Sequence, residues 1–145
     1  MKRIFCGICL TLLFLSPVGA EDISAVKVDV LAKNSSSWDG EVLPEYEKGQ
    51  PEVTILKITI PPHAQLPLHH HPVINAGVLL KGELTVETAN NEILYLKAGD
   101  SIIEVVNNWH YGKNEGNEPA EIIVFYAGIE GKPITVKETV EKIKK

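Results

Sequence analysis

Cysteine is almost absent from this chain. Its two cysteines, Cys6 and Cys9, both lie close to the amino terminus. The remaining residues can therefore build no disulfide framework, no cysteine-ligated zinc site and no thiol nucleophile. Positive charge is scarce as well: 14 Lys and Arg face 19 Asp and Glu, a formal net charge of −5. An acidic chain without a basic cluster lacks the electrostatic footprint of a nucleic-acid binder. It also has no basic amphipathic stretch suited to a membrane surface. There is no Gly-rich phosphate loop and no Ser-centred nucleophile elbow. The one long apolar run, Ile4 to Leu15, is too short to span a bilayer with ease. Small molecules, metals and protein partners are the classes left.

That apolar run has a local explanation. Lys2 and Arg3 precede it, and Val18-Gly19-Ala20 ends it in small residues. This is the layout of a signal peptide, with cleavage expected after Ala20. Export to the periplasm, or secretion, is the expected fate, with no membrane contact afterwards. Cys6 and Cys9 lie before or within the apolar run, so neither is placed for lipid attachment. Residues 21–145 are expected to form one domain, which buries about two-thirds of its unfolded surface. Without Lys2 and Arg3 its balance is 12 basic against 19 acidic residues, a net charge of −7.

Glycine and proline punctuate this stretch at the rhythm of an all-β sandwich or barrel. Val26, Val28 and Val30 alternate with Lys27 and Asp29, which predicts a half-buried strand. Asn34 to Gln50 reads as loop. Val53 to Ile60 is apolar on both parities, as in a strand buried on two sides or at a subunit contact. Pro61-Pro62 ends it. Ala76–Leu80, Glu83–Thr88, Ile93–Lys97, Ser101–Val106, Trp109–Lys113 and Glu121–Tyr126 read as further strands. Asn90-Asn91 suits a two-residue hairpin turn, since Asn tolerates positive φ. Residues 137–145 place Val140 and Ile143 three apart in a charged segment, the pattern of a short terminal helix.

Chemistry concentrates in three histidines. His69 and His71 are two apart, so in a strand both side chains leave the same face. His110, from a neighbouring strand, can complete a set of three imidazoles. Neutral imidazole is the commonest metal ligand, and three on one small scaffold read as a mononuclear metal site.

With their spacing, the segments are His69-x-His71-x3-Asn75-x6-Gly82 and Gly99-x5-Val105-x-Asn107-x2-His110-x3-Asn114. These resemble the paired motifs of the cupin superfamily, G-x5-H-x-H-x3,4-E-x6-G and G-x5-P-x-G-x2-H-x3-N. The 16 residues between Gly82 and Gly99 fit the short linker of small bacterial cupins. Locally, His71-Pro72-Val73-x-Asn75-Ala76-Gly77 and Val106-Asn107-x-Trp109-His110 look like a subgroup of small exported bacterial cupins. The resemblance implies a double-stranded β-helix, or jelly roll, with its site inside the barrel. It carries the ligand role to His69, His71 and His110.

The departures matter. Asn75 stands where many cupins have Glu, leaving an amide that either ligates the ion weakly or bonds nearby backbone. Such a donor set disfavours Mg²⁺ and Ca²⁺ and suits one divalent transition metal: Fe, Zn, Cu, Ni or Mn. His63 replaces the first motif glycine and reads as a surface turn residue that need not use positive φ. His70 should point away from the site. Val105 and Asn107 replace motif proline and glycine, and Asn107 can supply the left-handed conformation. Gly112 shares the parity of His110 and leaves room there. Asn114 is expected to brace strands. Glu104 is the one carboxylate in an apolar run. It is solvent-exposed at an edge, or orients a ligand histidine by accepting its N–H, or serves as general base. Trp38, Tyr46, Trp109, Tyr111, Phe125 and Tyr126 are assigned to core or subunit interface.

Three functional classes follow: a metal-dependent enzyme, dioxygenase-like first and isomerase or hydrolase second; a module that holds a metal or small ligand without turnover; and a structural protein. The two-sided strands Val53–Ile60 and Glu121–Tyr126 favour a homodimer.

Overall fold

In the computed structural model the described residues are 26–139, and they contain strands and no helix. The nine strands are β1 (Pro51–Ile60), β2 (His69–His70), β3 (Ile74–Lys81), β4 (Glu83–Thr88), β5 (Ile93–Lys97), β6 (Ser101–Ile103), β7 (His110–Lys113), β8 (Ala120–Ile129) and β9 (Val136–Lys137). They form two antiparallel sheets in the orders β1-β8-β3-β6 and β5-β4-β7-β2-β9. This is the double-stranded β-helix expected from the motifs.

Period-2 burial builds the interior. In β3, Asn75, Gly77 and Leu79 point inward while their neighbours do not. In β8, Ala120, Ile122, Val124 and Tyr126 do the same. Leu84, Val86 and Leu96 close the core from the other sheet. Gly77 is needed where β3 meets β8, because a Cβ there would stand 2.8 Å from the Ile123 carbonyl oxygen.

Several expectations need correction. Val26 to Val30 is not a strand: it pairs with no described strand, and Val26, Val28 and Val30 are 91%, 80% and 74% exposed. Alternation advertises a half-buried strand, but the described residues supply no surface to cover it. Just beyond it, the Ser101 hydroxyl donates to the Leu31 carbonyl at 2.6 Å. His63 does adopt positive φ, at 60°, so the turn keeps the geometry of the glycine it replaces. The β4–β5 connection runs over four residues, Ala89 to Glu92, with only Asn91 at positive φ. Lys137, assigned to a helix, lies in β9; Val140 and Ile143 lie outside the described residues, as does the signal-like segment. Asn107 takes the left-handed conformation as expected, with φ 57°.

Asn114 braces strands as anticipated. Its Nδ2 donates to the carbonyls of Ile60, Pro61 and Glu118, and its Oδ1 accepts from the Gly116 N–H. It is 1% exposed, so water cannot replace those partners. Asn114→Ala should cost about 2–4 kcal/mol, because several buried groups lose partners at once. Denaturant unfolding measures it, and a loss below about 1 kcal/mol would show the bracing to be dispensable.

Candidate metal centre

One sheet, the five-stranded one, brings the three histidines together. His69 in β2 is in register with His110 in β7, and their ring centroids are 4.5 Å apart. His71 follows β2, with its ring 4.9 Å from that of His69 and 5.1 Å from that of His110. One ring nitrogen of each lies within 4.8 Å of those of the other two. His71 and His110 are buried and His69 is half-buried. His70 turns away, as strand alternation requires. It packs edge-on against Trp109 at 4.6 Å, with its Nδ1 buried and, among the described residues, without a partner.

The backbone decides which nitrogen carries each proton. The Nδ1 atoms of His69, His71 and His110 stand 2.8 Å from the carbonyl oxygens of Pro67, Ile134 and Asn108. A carbonyl only accepts, so each Nδ1 must donate. A neutral imidazole has a single N–H, so each Nε2 is left as a lone pair. Neutrality is enforced by burial, which pushes His71 down to about 3 and also lowers His69 and His110. Three lone pairs therefore converge with no proton to share. A metal cation is the partner that this donor set fits.

The histidines line a cavity of about 380 Å³ between the sheets. Its walls are largely apolar, among them Leu56, Ile58, Leu84, Val86, Ile122 and Val124. Gly112 lines it too, leaving the space its parity suggested. Tyr126 is buried against the His71 ring at 5.3 Å. Burial pushes its phenol up to about 12, so it remains a neutral hydrogen-bond donor.

Asn75 and Glu104 reach the same cavity. Asn75 is 2% exposed, and its Nδ2 donates weakly to the Val73 carbonyl at 3.4 Å. Glu104 is buried rather than at an exposed edge. Its Oε1 accepts from the Trp38 indole N–H at 3.1 Å and the Val105 N–H at 3.2 Å, and stands 3.8 Å from His110 Nε2. It orients no histidine by accepting an N–H, since those protons point to backbone carbonyls. Burial first, against those two donors, raises its carboxyl to about 7.

Sequence reading did not bring Trp38, Thr135 or Lys137 to the site. Trp38 arrives on the loop before β1; Thr135 and Lys137 line the cavity from the C-terminal segment. The register of Lys137 against His69 is a tertiary pairing that local periodicity does not encode. Tyr46 and Phe125, 80% and 43% exposed, lie outside the core of the single chain.

The shifts predict a pH response of the metal-free protein. A histidine held neutral loses stability for the fold as pH drops below 6.5 toward its folded value, because the unfolded chain takes the proton first. Glu104 acts oppositely: its contribution is full below 4.5 and is lost as pH rises through about 7. Thermal melts from neutral pH to about 4.5 should show the shallowest acid loss in His71→Asn. Wild type should be intermediate and Glu104→Gln steepest. The reverse ranking would contradict the neutral-histidine assignment.

The comparisons agree with this architecture. A family model described as a cupin domain matches residues 56–126. A Klebsiella pneumoniae protein with a double-stranded β-helix domain superposes with a TM-score of 0.52 at 21% identity, over 66% of this chain and 90% of its own. A DMSP lyase from Ruegeria pomeroyi gives 0.52 at 19%, over 59% of this chain and 42% of its own. The Cnp3 cupin domain of Schizosaccharomyces pombe gives 0.50 at 22%, over 57% and 60%. At these identities the likeness concerns the fold alone. No curated protein sequence matches the chain. The two sheets, the spacing of the two histidine blocks and the family model agree: the chain belongs to the cupin superfamily.

Proposed function

We propose that this cupin holds one divalent transition-metal ion at His69, His71 and His110 and receives a small organic molecule in the cavity beside it. The observation that carries the reading is the convergence of three proton-free Nε2 atoms, each fixed by an Nδ1–H bond to backbone. Iron, zinc, copper, nickel and manganese are the ions such nitrogen donors suit, manganese least. When bound, the ion supplies Lewis-acid or redox chemistry.

The chain's own groups do the rest. The apolar walls exclude water and accept an apolar body. The Tyr126 hydroxyl keeps its proton and can donate to a polar atom of the ligand. The resemblance to cupin dioxygenase centres makes oxidoreductase chemistry the first reaction class to test. Holding a ligand without turnover is the second reading, and the largely apolar cavity wall favours it.

Two parts of the proposal rest on other residues. Export follows from the Lys2 to Ala20 pattern. Dimerisation follows from the outer face of β1 and β8, where Val53, Ile55 and Phe125 are 58%, 64% and 43% exposed on neighbouring strands. Such a patch marks an interaction surface.

Metal analysis by mass spectrometry, on protein purified without a histidine tag, tests the centre. About one equivalent of one metal is expected, and His69→Ala/His110→Ala should abolish it. Iron would direct assays to oxygen consumption; zinc would direct them to hydrolysis or isomerisation. No metal after reconstitution with all five ions would end the ligand assignment. Light scattering at micromolar concentration should report a dimer that Ile55→Asp dissociates; a wild-type monomer would remove the interface.

A further inference from the structure

We propose that Glu104 is the anionic ligand of this centre, supplying from β6's side of the sheet the carboxylate that Asn75 lacks. The inference rests on the metal reading above and assigns its fourth donor.

The transposition is visible in the register. Ala76 in β3 pairs with Ile103 in β6, and the Glu104 N–H donates to the Asn75 carbonyl at 3.0 Å. Carried one residue past β6, this register sets Glu104 opposite Asn75, and opposed residues of an antiparallel pair present their side chains to one face. Both line the histidine cavity. A carboxylate missing from one strand is present on the next, about 5 Å away across the sheet.

The contact between Glu104 and His110 points the same way. Glu104 Oε1 and His110 Nε2 are 3.8 Å apart. His110 carries its proton on Nδ1, so Nε2 offers a lone pair to an oxygen that also offers one. At 3.8 Å no hydrogen bond joins them, even if the carboxyl were protonated. Two ligand atoms bound to one ion at about 2.1 Å stand roughly 3.4 Å apart in a tetrahedral set, close to what is found. A cation between them converts a repulsive contact into two bonds.

The surroundings are consistent with this. Trp38 and Val105 hold Oε1 in place, while among the described residues no donor reaches Oε2. Among the described residues no lysine pairs with Glu104 either. A buried carboxylate stays ionised beside a compensating charge, and the ion provides one.

Calorimetric titration of the metal-free full chain with Zn²⁺, together with the visible absorption of the Co²⁺-loaded protein, tests the assignment. Glu104→Gln should weaken Zn²⁺ by more than about 100-fold, beyond the range for losing a group that only orients a ligand. It should also change the Co²⁺ bands. Asn75→Ala should stay within about threefold of wild type, as expected for a group that does not ligate. Glu104→Gln/Asn75→Glu, which returns the carboxylate to the motif strand, should recover most of the affinity. Far-UV circular dichroism confirms that each variant is folded. A folded Glu104→Gln protein with unchanged Co²⁺ bands and near-native affinity would overturn this inference while leaving the three-histidine centre standing. Wild-type protein that binds neither ion would overturn both.

Discussion

Three hydrogen bonds from imidazole to main chain govern this molecule's chemistry. Each histidine of the centre commits its only proton to a carbonyl, on Pro67, Ile134 or Asn108. The tautomer is then no longer free, and the ring cannot rotate without breaking its hydrogen bond to the main chain. Burial adds the second half of the constraint by refusing a further proton. A ring neutral and protonated on Nδ1 is a metal donor on Nε2 and little else. The segments leading into β2, β7 and β9 deliver the three carbonyls as surely as the strands deliver the rings.

Much of the fold was legible because period-2 patterning and turn chemistry are local. Glu83 to Lys97 alternates, turns on an asparagine and alternates again, and the hairpin forms there. The histidine blocks were legible for the same reason: their spacing is a property of strands. What stayed hidden depends on contacts between distant segments. Backbone carbonyls have no sequence signature, so nothing in the order of residues says that Ile134 anchors His71. The valines at 26, 28 and 30 show the opposite failure. Their alternation is real, yet among the described residues no surface meets it, and a local rule misreads them. Glu104 falls between these cases. Its isolation in an apolar run marked it as unusual, but only the register of β3 with β6 shows which residue it faces.

The cavity is sorted by chemistry. Polar groups gather around the histidines, and the wall made by β1, β4 and β8 is aliphatic. A ligand entering here meets one polar pole and a long apolar flank. If Glu104 binds the ion, the cavity retains, among the described residues, no free carboxylate to shuttle protons. Acid–base isomerisation then loses its natural agent, and oxygen chemistry or simple retention of a ligand gains by comparison. The choice of carboxylate position therefore bears on the reaction class as well as on affinity.

The bond between His71 and Ile134 joins residues 63 positions apart. Ile134 lies near the end of the described chain, just before β9. While the polypeptide is being made, His69 and His71 emerge long before their last positioning group exists. A nascent chain thus displays unpoised imidazoles that any passing ion can visit but none can occupy in the finished geometry. On the proposed function, the finished metal site is complete only once the segment carrying Ile134 has been made.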